Sequence, residues 1–335
     1  MKILIIRFSS LGDIVLTTPI IRAVKTHLSE AEVHFVTKSA YKDVLIENPY
    51  LSKIYTLEAS LWELAQTLRS ENYDYIIDLH HNLRTFILKQ LLRKKSYSYP
   101  KENINKWLLT ALKVNRMPSE HVVDRYFRAV APLGVKNDSL GLDHFIPEKD
   151  EVDLDWLPEG FQRYAAVVIG GKKATKRLPT SRLIELCDRI NKPVILLGGK
   201  EDVERGREIE KFFSREGTDS SFEEGLRALG KTTTVFNACG KFNIHQSASV
   251  LKQAQWIFTH DTGLMHIAAA FKKELFTIWG STVPEFGMYP YRTKFTIFEK
   301  KNLSCRPCSK IGFDKCPKGH FKCMNEVTFD FYLPD

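Results

Sequence analysis

The sequence predicts an α/β protein built from two doubly wound, Rossmann-like domains that face a central cleft. Short apolar segments rich in Ile and Val alternate with segments of helical periodicity. Apolar runs without period-two alternation, separated by helices, are typical of parallel strands covered on both faces. The 335 residues also exceed one ordinary core of about 100 to 200 residues. Two domains of this class place a ligand cleft between them.

The elements follow from the positions of these runs. We expect strands at residues 3–6, 33–37, 53–57, 75–79, 165–169, 194–197, 234–237, 256–259 and 275–279. We expect helices at 14–28, 40–47, 60–70, 83–93, 181–190, 201–213, 245–253 and 263–271. The proline-containing, acidic stretch 141–160 lacks periodicity and is the predicted linker. The predicted domains are residues 1–150 and 151–335, the second with a Cys-rich tail at 305–323.

The composition is typical of a folded, soluble protein. Hydrophobic residues make up 43% of the chain and charged residues 27%, and no run approaches the roughly 18 to 20 apolar residues of a membrane span. The N-terminal MKILIIRFSSLGD lacks the long apolar stretch and the cleavage site of a signal peptide. We interpret it as a first strand and expect a cytoplasmic protein.

One stretch is strongly basic. Residues 84–116 contain nine Lys or Arg side chains and the single acid Glu102, interleaved with Leu, Tyr and Trp. Apolar burial and charge attraction add at anionic interfaces, so this stretch could rest on an anionic membrane surface or meet an acidic glycolipid. A solvated helix face over ordinary core residues explains the pattern equally well.

The first strand ends in a corner with polar and small residues. Gly12 permits a close backbone approach, and Ser10 offers a hydroxyl. Asp13 would repel a phosphate, so we interpret it as a helix cap or as a base acting on a hydroxyl. From this corner alone, capping is the more frequent role of an aspartate before a helix.

Four corners of the second half carry glycines, hydroxyls or cations at strand ends. The strand at 165–169 runs into Gly170 and Gly171 and then into KKATKR, where Thr175 and Lys176 suit a diphosphate. The strand at 256–259 runs into Asp261, Thr262 and Gly263, where helix N–H groups offer an anion site. His266 follows one turn later and by itself suggests packing. The corners at 197–202 and 279–284 complete a predicted nucleotide crevice.

Seven segments together resemble glycosyltransferase family nine, the ADP-heptose:lipopolysaccharide heptosyltransferases. They are RFSSLGDIVLTTPIIRAVK, YDYIIDLHHNLRT, HVVDRYFRAVAPLGV, ATKRLP, ILLGGKED, HDTGLMHIAAAF and WGSTVPEFGMYPY. The resemblance runs over most of the chain in the same order. It departs from the family at IGGKKATKR, where many members show His-Pro-Gly and fewer charges, and at the end of the chain, where many extend a further helix.

The resemblance implies a GT-B fold, inverting sugar transfer from an ADP-sugar donor, and no metal in the chemistry. Asp13 looks like the general base. Donor-binding residues carried over by motif, with His266 added, are Thr175, Lys176, Asp261, Thr262, Gly263 and His266. Acceptor-side candidates are Ser10, Gly12, Asp78, His80, Asn82 and Arg84. The implied acceptor is the acidic lipopolysaccharide core, met by a peripheral protein at the inner face of the inner membrane.

The tail contains a cysteine cluster whose role the sequence leaves open. Cys305, Cys308, Cys316 and Cys323 follow a C-x2-C, seven-residue, C, six-residue, C spacing, with His320 nearby. Four thiolates, or three and His320, would close a tetrahedral structural zinc site. Reduced cysteines or a local disulfide are equally compatible.

Two other classes of function compete with heptosyl transfer: a different nucleotide-sugar enzyme and a nucleic-acid-binding protein. A nucleotide-sugar epimerase, a hydrolase, or a transferase to a different glycan would share the fold. A nucleic-acid-binding protein is suggested by the net charge of +9 and the cysteine cluster, and it predicts strongly salt-dependent affinity. The basic residues are spread over two nucleotide-type domains without a recognition motif, so we expect no nucleic-acid partner.

Overall fold

The computed structural model describes residues 1–155, 157, 160–214 and 230–334. The first sheet consists of β1 (Lys2–Ile6), β2 (Glu32–Lys38), β3 (Lys53–Leu57), β4 (Tyr75–Asp78) and β5 (Lys95–Ser98). The second consists of β6 (Ala165–Val168), β7 (Pro193–Leu197), β8 (Thr234–Asn237), β9 (Trp256–His260), β10 (Leu275–Trp279) and β11 (Phe295–Glu299). These two sheets confirm the predicted α/β class.

Both sheets are parallel and share one strand order. The first runs β3-β2-β1-β4-β5 and the second runs β11-β10-β9-β6-β7-β8. In each sheet the first strand of the domain lies inside: β1 has β2 on one side and β4 on the other, and β6 has β7 on one side and β9 on the other. The direction in which successive strands are added therefore reverses between β1 and β4 and between β6 and β9. Ligands of doubly wound sheets bind outside the carboxyl ends of the strands at this reversal. The loops after β1, β4, β6 and β9 are therefore the places to look for a site.

Helices connect the strands and cover the sheets. They are α1 (Leu11–Val15), α2 (Thr18–His27), α3 (Leu61–Ser70), α4 (Leu83–Leu92), α5 (Asn103–Trp107), α6 (Val122–Phe127), α7 (Thr180–Ile190), α8 (Val203–Phe213), α9 (Ile244–Gln253), α10 (Gly263–Ala270) and α11 (Lys322–Asn325). The segment predicted as a helix at 40–47 is a 3₁₀ stretch, Ser39–Leu45. No helix among the described residues is long and apolar enough to cross a bilayer.

The predicted helix 14–28 is wrong in one respect, because the structure divides it into α1 and α2. The Thr17 hydroxyl donates to the carbonyl of Ile14 at 2.7 Å, and the Thr18 hydroxyl donates to that of Val15 at 2.8 Å. Pro19, near the start of α2, has no N–H to continue the helical hydrogen bonds. The break turns α1 into a short, separate element beside the cleft.

Two strands, β5 and β11, were not predicted. Each lies at the edge of its sheet, paired on one side only, to β4 and to β10 respectively. The four residues of β5, KSYS, are all exposed or half-buried. KSYS contains one apolar residue and FTIFE mixes apolar with polar residues, so neither segment has the continuous apolar run by which buried strands are recognised.

The chain passes from one half to the other between residues 143 and 151. Arg22 of α2 pairs with Asp138 at 2.7 Å and also with Asp143. The backbone N–H of Val152 donates to Ser249 Oγ of α9 at 2.9 Å. This crossing falls inside the predicted linker, while the predicted domain bounds themselves stay a prediction.

The two halves touch where α1 meets α10. A Cβ on Gly12 would lie 2.7 Å from Cδ2 of His266, and a Cβ on Gly263 would come closer still to Cδ2 of Leu11. A second contact holds α6 to the other half, because Arg125 Nη2 donates to the carbonyl of Phe286 at 2.7 Å. The corners that follow β1 and β9 are thereby brought face to face.

Candidate functional site

The N-terminal side of the site is built around Asp13. The chain leaves β1 at Ile6, and the buried Arg7 then turns back, so that its Nη2 lies 2.6 Å from Asp13 Oδ1. The other carboxylate oxygen accepts from the Ser10 N–H at 3.0 Å and from the Ser10 hydroxyl at 2.7 Å. Asp13 is the third residue of α1 and binds back to Ser10, the residue preceding the helix, so Ser10 and not Asp13 is the N-cap. The Asp13 side chain stays 19% exposed at the cleft.

These contacts determine the charge of Asp13. Burial by itself opposes ionisation, but the Arg7 guanidinium and the two Ser10 donors outweigh it and lower the Asp13 pKa to about 2. The carboxylate is therefore ionised at any physiological pH. A carboxylate that carries no proton and is held in one orientation can accept a proton from a hydroxyl.

The predicted acceptor residues after β4 divide into two kinds. Asp78 is fully buried, pairs with Lys89 at 2.9 Å and accepts from the His80 and His81 N–H groups, so it shapes the loop instead of facing a ligand. Asn82 caps α4 by accepting from the Thr85 N–H at 3.0 Å. Arg84, in contrast, is exposed.

His80 is half-buried just after β4, with its ring 5.5 Å from that of Phe8. Burial, followed by the neighbouring Arg7 and Lys101 charges, lowers its pKa to about 4, so the ring is neutral. Its Nδ1 is buried and has no hydrogen-bond partner among the described residues. A neutral ring with an unpartnered nitrogen suits a contact with an acceptor hydroxyl.

Lys101 and Lys106 are site residues that the sequence did not single out. Both belong to the basic stretch, and both lie within electrostatic reach of Asp13 and Arg7. Burial, followed by the nearby Arg125 charge, lowers the pKa of Lys106 to about 8. The only sequence signal was the high density of Lys and Arg in residues 84–116, which is equally typical of a solvated protein surface.

The glycine and hydroxyl corners of the second half converge as predicted. A Cβ on Gly170 would lie 3.2 Å from Cα of Gly198, and one on Gly171 would lie 3.3 Å from Cγ2 of Thr262. Ser281 Oγ donates to Thr175 Oγ1 at 2.9 Å. The loops after β6, β7, β9 and β10 therefore form one crevice at the carboxyl edge of the second sheet.

Lys176 and Asp261 form the charged centre of this crevice. Lys176 Nζ lies 2.5 Å from Asp261 Oδ2, which also accepts from the Thr282 hydroxyl at 2.8 Å. Both side chains of the ion pair are mostly buried, with 19% and 11% exposed. Asp261 thus orients the ammonium group.

Thr175 is fixed by the Cys-rich tail. Its hydroxyl accepts from the Phe313 N–H at 2.7 Å and donates to the Phe313 carbonyl at 3.0 Å, and it also accepts from Ser281. The residue is 2% exposed. A hydroxyl has one donor and two acceptor sites, so the predicted phosphate contact would require these bonds to open. Thr175 instead positions the loop that carries Lys176.

The start of α10 offers unused polar groups. Thr262 precedes the helix, and its Oγ1 is buried without a hydrogen-bond partner among the described residues. The first N–H groups of a helix have no intrahelical partner and favour an anion. His266 is 2% exposed, and burial lowers its pKa to about 4, so it is a neutral ring packed against Gly12.

His260 and Arg205 also stabilise the crevice, although neither was assigned a role from its sequence context. The backbone N–H of Leu178 donates to Nε2 of the fully buried His260 at 3.0 Å. Arg205 donates to the carbonyls of Leu178 and Ile169. Only the folded chain brings these side chains to the loop after β6.

The tail cysteines do not form a complete metal site in this arrangement. All four thiols are free, and Cys305 Sγ lies 3.8 Å from His320 Nε2, a spacing near that of two ligands on one zinc ion. Among the described residues, however, no three tail ligand atoms lie within 4.8 Å of one another. The predicted zinc site stays a prediction, and metal analysis of the purified chain tests it.

Comparison with known proteins identifies the family. A family model described as glycosyltransferase family 9 (heptosyltransferase) matches residues 61–316. The chain is 23% identical to lipopolysaccharide heptosyltransferase 1 of Campylobacter coli, with 84% of each protein covered. It is 22% identical to lipooligosaccharide heptosyltransferase 2 of Haemophilus influenzae, with 99% of this chain and 97% of the relative covered.

Solved structures agree on the fold. The Escherichia coli ADP-heptose lipopolysaccharide heptosyltransferase II matches with a TM-score of 0.69 at 19% identity, covering 97% of this chain and 98% of that one. The E. coli heptosyltransferase WaaC with ADP matches with a TM-score of 0.62 at 19% identity, covering 89% and 93%. The predicted GT-B fold is confirmed. Because the family match spans most of the sequence, this chain belongs to glycosyltransferase family 9 and is a glycosyltransferase.

Proposed function

We propose that this enzyme transfers a heptose from ADP-heptose, with inversion, to a hydroxyl of the lipopolysaccharide inner core at the cytoplasmic face of a membrane. One observation carries the proposal. An ionised, half-buried Asp13 stands at the strand-order reversal of one sheet, and the Lys176–Asp261 pair stands at that of the other. Contact between α1 and α10 holds the two in one cleft.

The donor side fits a sugar diphosphate. Lys176 supplies a positive charge whose direction Asp261 fixes, and the start of α10 adds N–H donors and the free Thr262 hydroxyl. Preorganised donors of this kind stabilise the charge that develops on a leaving diphosphate. Relatives named as heptosyltransferases, and the solved structures named with ADP or ADP-heptose, support adenosine diphosphate as the nucleotide.

The reaction forms one bond and breaks one. The acceptor hydroxyl oxygen attacks the anomeric carbon from the face opposite the nucleotide, while the bond from that carbon to the β-phosphate oxygen breaks. The acceptor proton passes to Asp13, and the electron pair leaves with ADP, whose new charge Lys176 stabilises. Attack from the opposite face inverts the anomeric configuration.

A carboxylate with a low pKa can act as this base because the acidity of the acceptor changes during the reaction. The hydroxyl oxygen gains positive charge as it bonds to carbon, and its proton becomes strongly acidic. Arg7 keeps Asp13 free of a resident proton beforehand. Ser10 and Arg7 also fix the direction of the carboxylate, which favours a productive geometry.

The acceptor side fits an anionic saccharide. Lys101 and Lys106 lie within electrostatic reach of Asp13, and the neutral His80 lies beside Arg7. Carboxylates or phosphates of a lipopolysaccharide core would be attracted to these cations. The cations lie on the same half as the base, so an acceptor bound there would meet the donor across the cleft.

Calorimetry with transfer assays tests the proposal. We expect the full chain to bind ADP and ADP-heptose in preference to UDP, GDP and a nucleic-acid oligomer. Asp13→Asn should retain ADP affinity and lose a factor of about 10² to 10⁴ in transfer rate. Absence of any ADP preference would contradict the donor assignment. Binding of ADP-heptose without transfer to lipopolysaccharide core would instead indicate a different glycan acceptor.

A further inference from the structure

We propose that helix α4 and the segment 103–114 form a docking surface for an anionic lipid bilayer. This lipid-facing surface is defined by Leu83, Phe86, Ile87, Ile104, Trp107 and Leu112. The inference rests on the proposed function in one respect, because a lipid-linked acceptor is what would bring the enzyme to a bilayer. Its physical basis is the exposed apolar area and the charge of these segments.

Helix α4 presents apolar side chains on its outer face. Leu83, Phe86 and Ile87 occupy positions i, i+3 and i+4 and are 73%, 55% and 41% exposed. The opposite face of α4 packs against the core, where Thr85 and Leu88 are fully buried. A helix with apolar residues on both faces has an outer face that water solvates poorly, which suits insertion into an interface.

The segment after β5 repeats this pattern. Ile104, Trp107 and Leu112 are 75%, 53% and 56% exposed, while Leu109 of the same segment is buried against Val283 and Phe286. Tryptophan is a residue that favours the boundary between lipid headgroups and acyl chains. The segment is thus anchored to the protein on one side and apolar on the other.

Hydrogen bonds bring the two apolar segments to one end of the sheet. Lys101 Nζ donates to the carbonyl of His81 at 3.2 Å, and His81 Nδ1 lies 3.0 Å from the carbonyl of Tyr99. The start of α4 and the approach to α5 therefore lie side by side, at the carboxyl ends of β4 and β5. This is also the edge of the sheet at which Asp13 lies.

Charge complementarity selects an anionic bilayer as the occupant. Nine Lys or Arg residues and one Glu lie between residues 84 and 116. Lys89 is neutralised by Asp78, but Arg84, Arg93 and Arg116 are exposed. Basic residues close to a membrane are attracted to anionic headgroups, and this attraction adds to apolar insertion. Lys101 and Lys106 continue the basic surface to Asp13, so docking would present a membrane-held acceptor to the base.

Vesicle flotation of the full chain tests the surface. We expect binding to vesicles of phosphatidylglycerol and phosphatidylcholine, little binding to phosphatidylcholine alone, and weakening as salt screens the charges. The double variant Phe86→Ser/Trp107→Ser should lose affinity at least about tenfold, because burying even one such side chain is worth more than that factor. Phe212→Ser on α8 is the matched control, since Phe212 is 64% exposed and lies in the other domain.

A charge variant tests the contribution of the basic residues, and a soluble acceptor distinguishes failure of the docking surface from failure of the proposed function. Arg84→Gln/Arg93→Gln should weaken binding to the anionic vesicles while leaving the apolar side chains in place. Equal vesicle binding by wild type, Phe86→Ser/Trp107→Ser and Phe212→Ser, or no binding by wild type, would overturn the inference. Transfer by wild type to a delipidated core saccharide, measured without vesicles, reports on the proposed function alone.

Discussion

The charge partner of Asp13 provides the sharpest prediction. Arg7→Met removes the guanidinium 2.6 Å from the carboxylate while keeping an unbranched apolar side chain. Two unit charges about 4 Å apart interact by about 4 kcal/mol at an effective dielectric constant of about 20, and about 1.4 kcal/mol corresponds to one pKa unit. The Asp13 pKa should therefore rise from about 2 by roughly three units, to about 5.

The dependence of transfer rate on pH measures this shift. Asp13 must be ionised to accept a proton, so wild type should show no acid limb from Asp13 between about pH 4 and pH 8. Arg7→Met should lose activity as the pH falls through about 5, and Arg7→Lys should retain the wild-type profile because it retains the charge. Arg7 also donates to the carbonyl of Ser9 at 2.8 Å, so circular dichroism must show that the variant is folded.

Two outcomes would refute this reasoning. A folded Arg7→Met enzyme whose profile runs parallel to that of wild type would show that Arg7 does not control the ionisation of Asp13. A wild-type acid limb near pH 5 that Arg7→Met leaves unmoved would assign that limb to another group. The linked stability has a definite sign, because a depressed carboxyl pKa contributes stability above pH 4 that is lost as the pH falls towards 2.

Three further predictions concern the donor half. Lys176→Met should lower ADP affinity by at least about tenfold in calorimetry, because it removes a charge-assisted contact and leaves Asp261 unpaired. Gly263→Ala should lower kcat/KM, because the added methyl group would push α1 away from α10. Leu11→Ala in the same chain should partly restore kcat/KM, since it removes the side chain that the methyl group meets. If the effects of the two substitutions on kcat/KM simply added, the close contact would be contradicted. Thr175→Val should cost about 1 to 3 kcal/mol of unfolding free energy in urea titration, since the Phe313 N–H and the Ser281 hydroxyl lose the oxygen to which they donate, whereas Thr175→Ser should not; equal stability of the two variants would exclude the positioning role.

The sequence predicted the fold because buried parallel strands carry their own signal. The runs at β3, β8 and β10 have the predicted bounds, since each is apolar enough to be recognised. The strands β5 and β11 were missed because KSYS contains a single apolar residue and FTIFE mixes apolar with polar residues, so neither has a continuous apolar run. At the break between α1 and α2, the Thr17 and Thr18 hydroxyls donate to backbone carbonyls of the preceding turn. Such side-chain bonds compete with the helical backbone bonds, and the spacing of apolar residues does not reveal them.

The sequence predicted where the candidate site lies better than it predicted what each residue of the site does. Residues at the carboxyl ends of strands follow from topology, so Asp13, Lys176 and Asp261 could be named from sequence. The role of Phe313 in holding Thr175 could not, because the two residues lie 138 positions apart and meet only in the folded chain.

The most direct test of the central claim is transfer with product analysis. Wild type and Asp13→Asn are incubated with ADP-heptose and a heptose-free lipopolysaccharide core, and the product is analysed by mass spectrometry and by NMR at the anomeric carbon. The account predicts one added heptose of inverted configuration with wild type, and almost none with an Asp13→Asn enzyme that still binds ADP. Retained configuration, or transfer by Asp13→Asn at the wild-type rate, would contradict it.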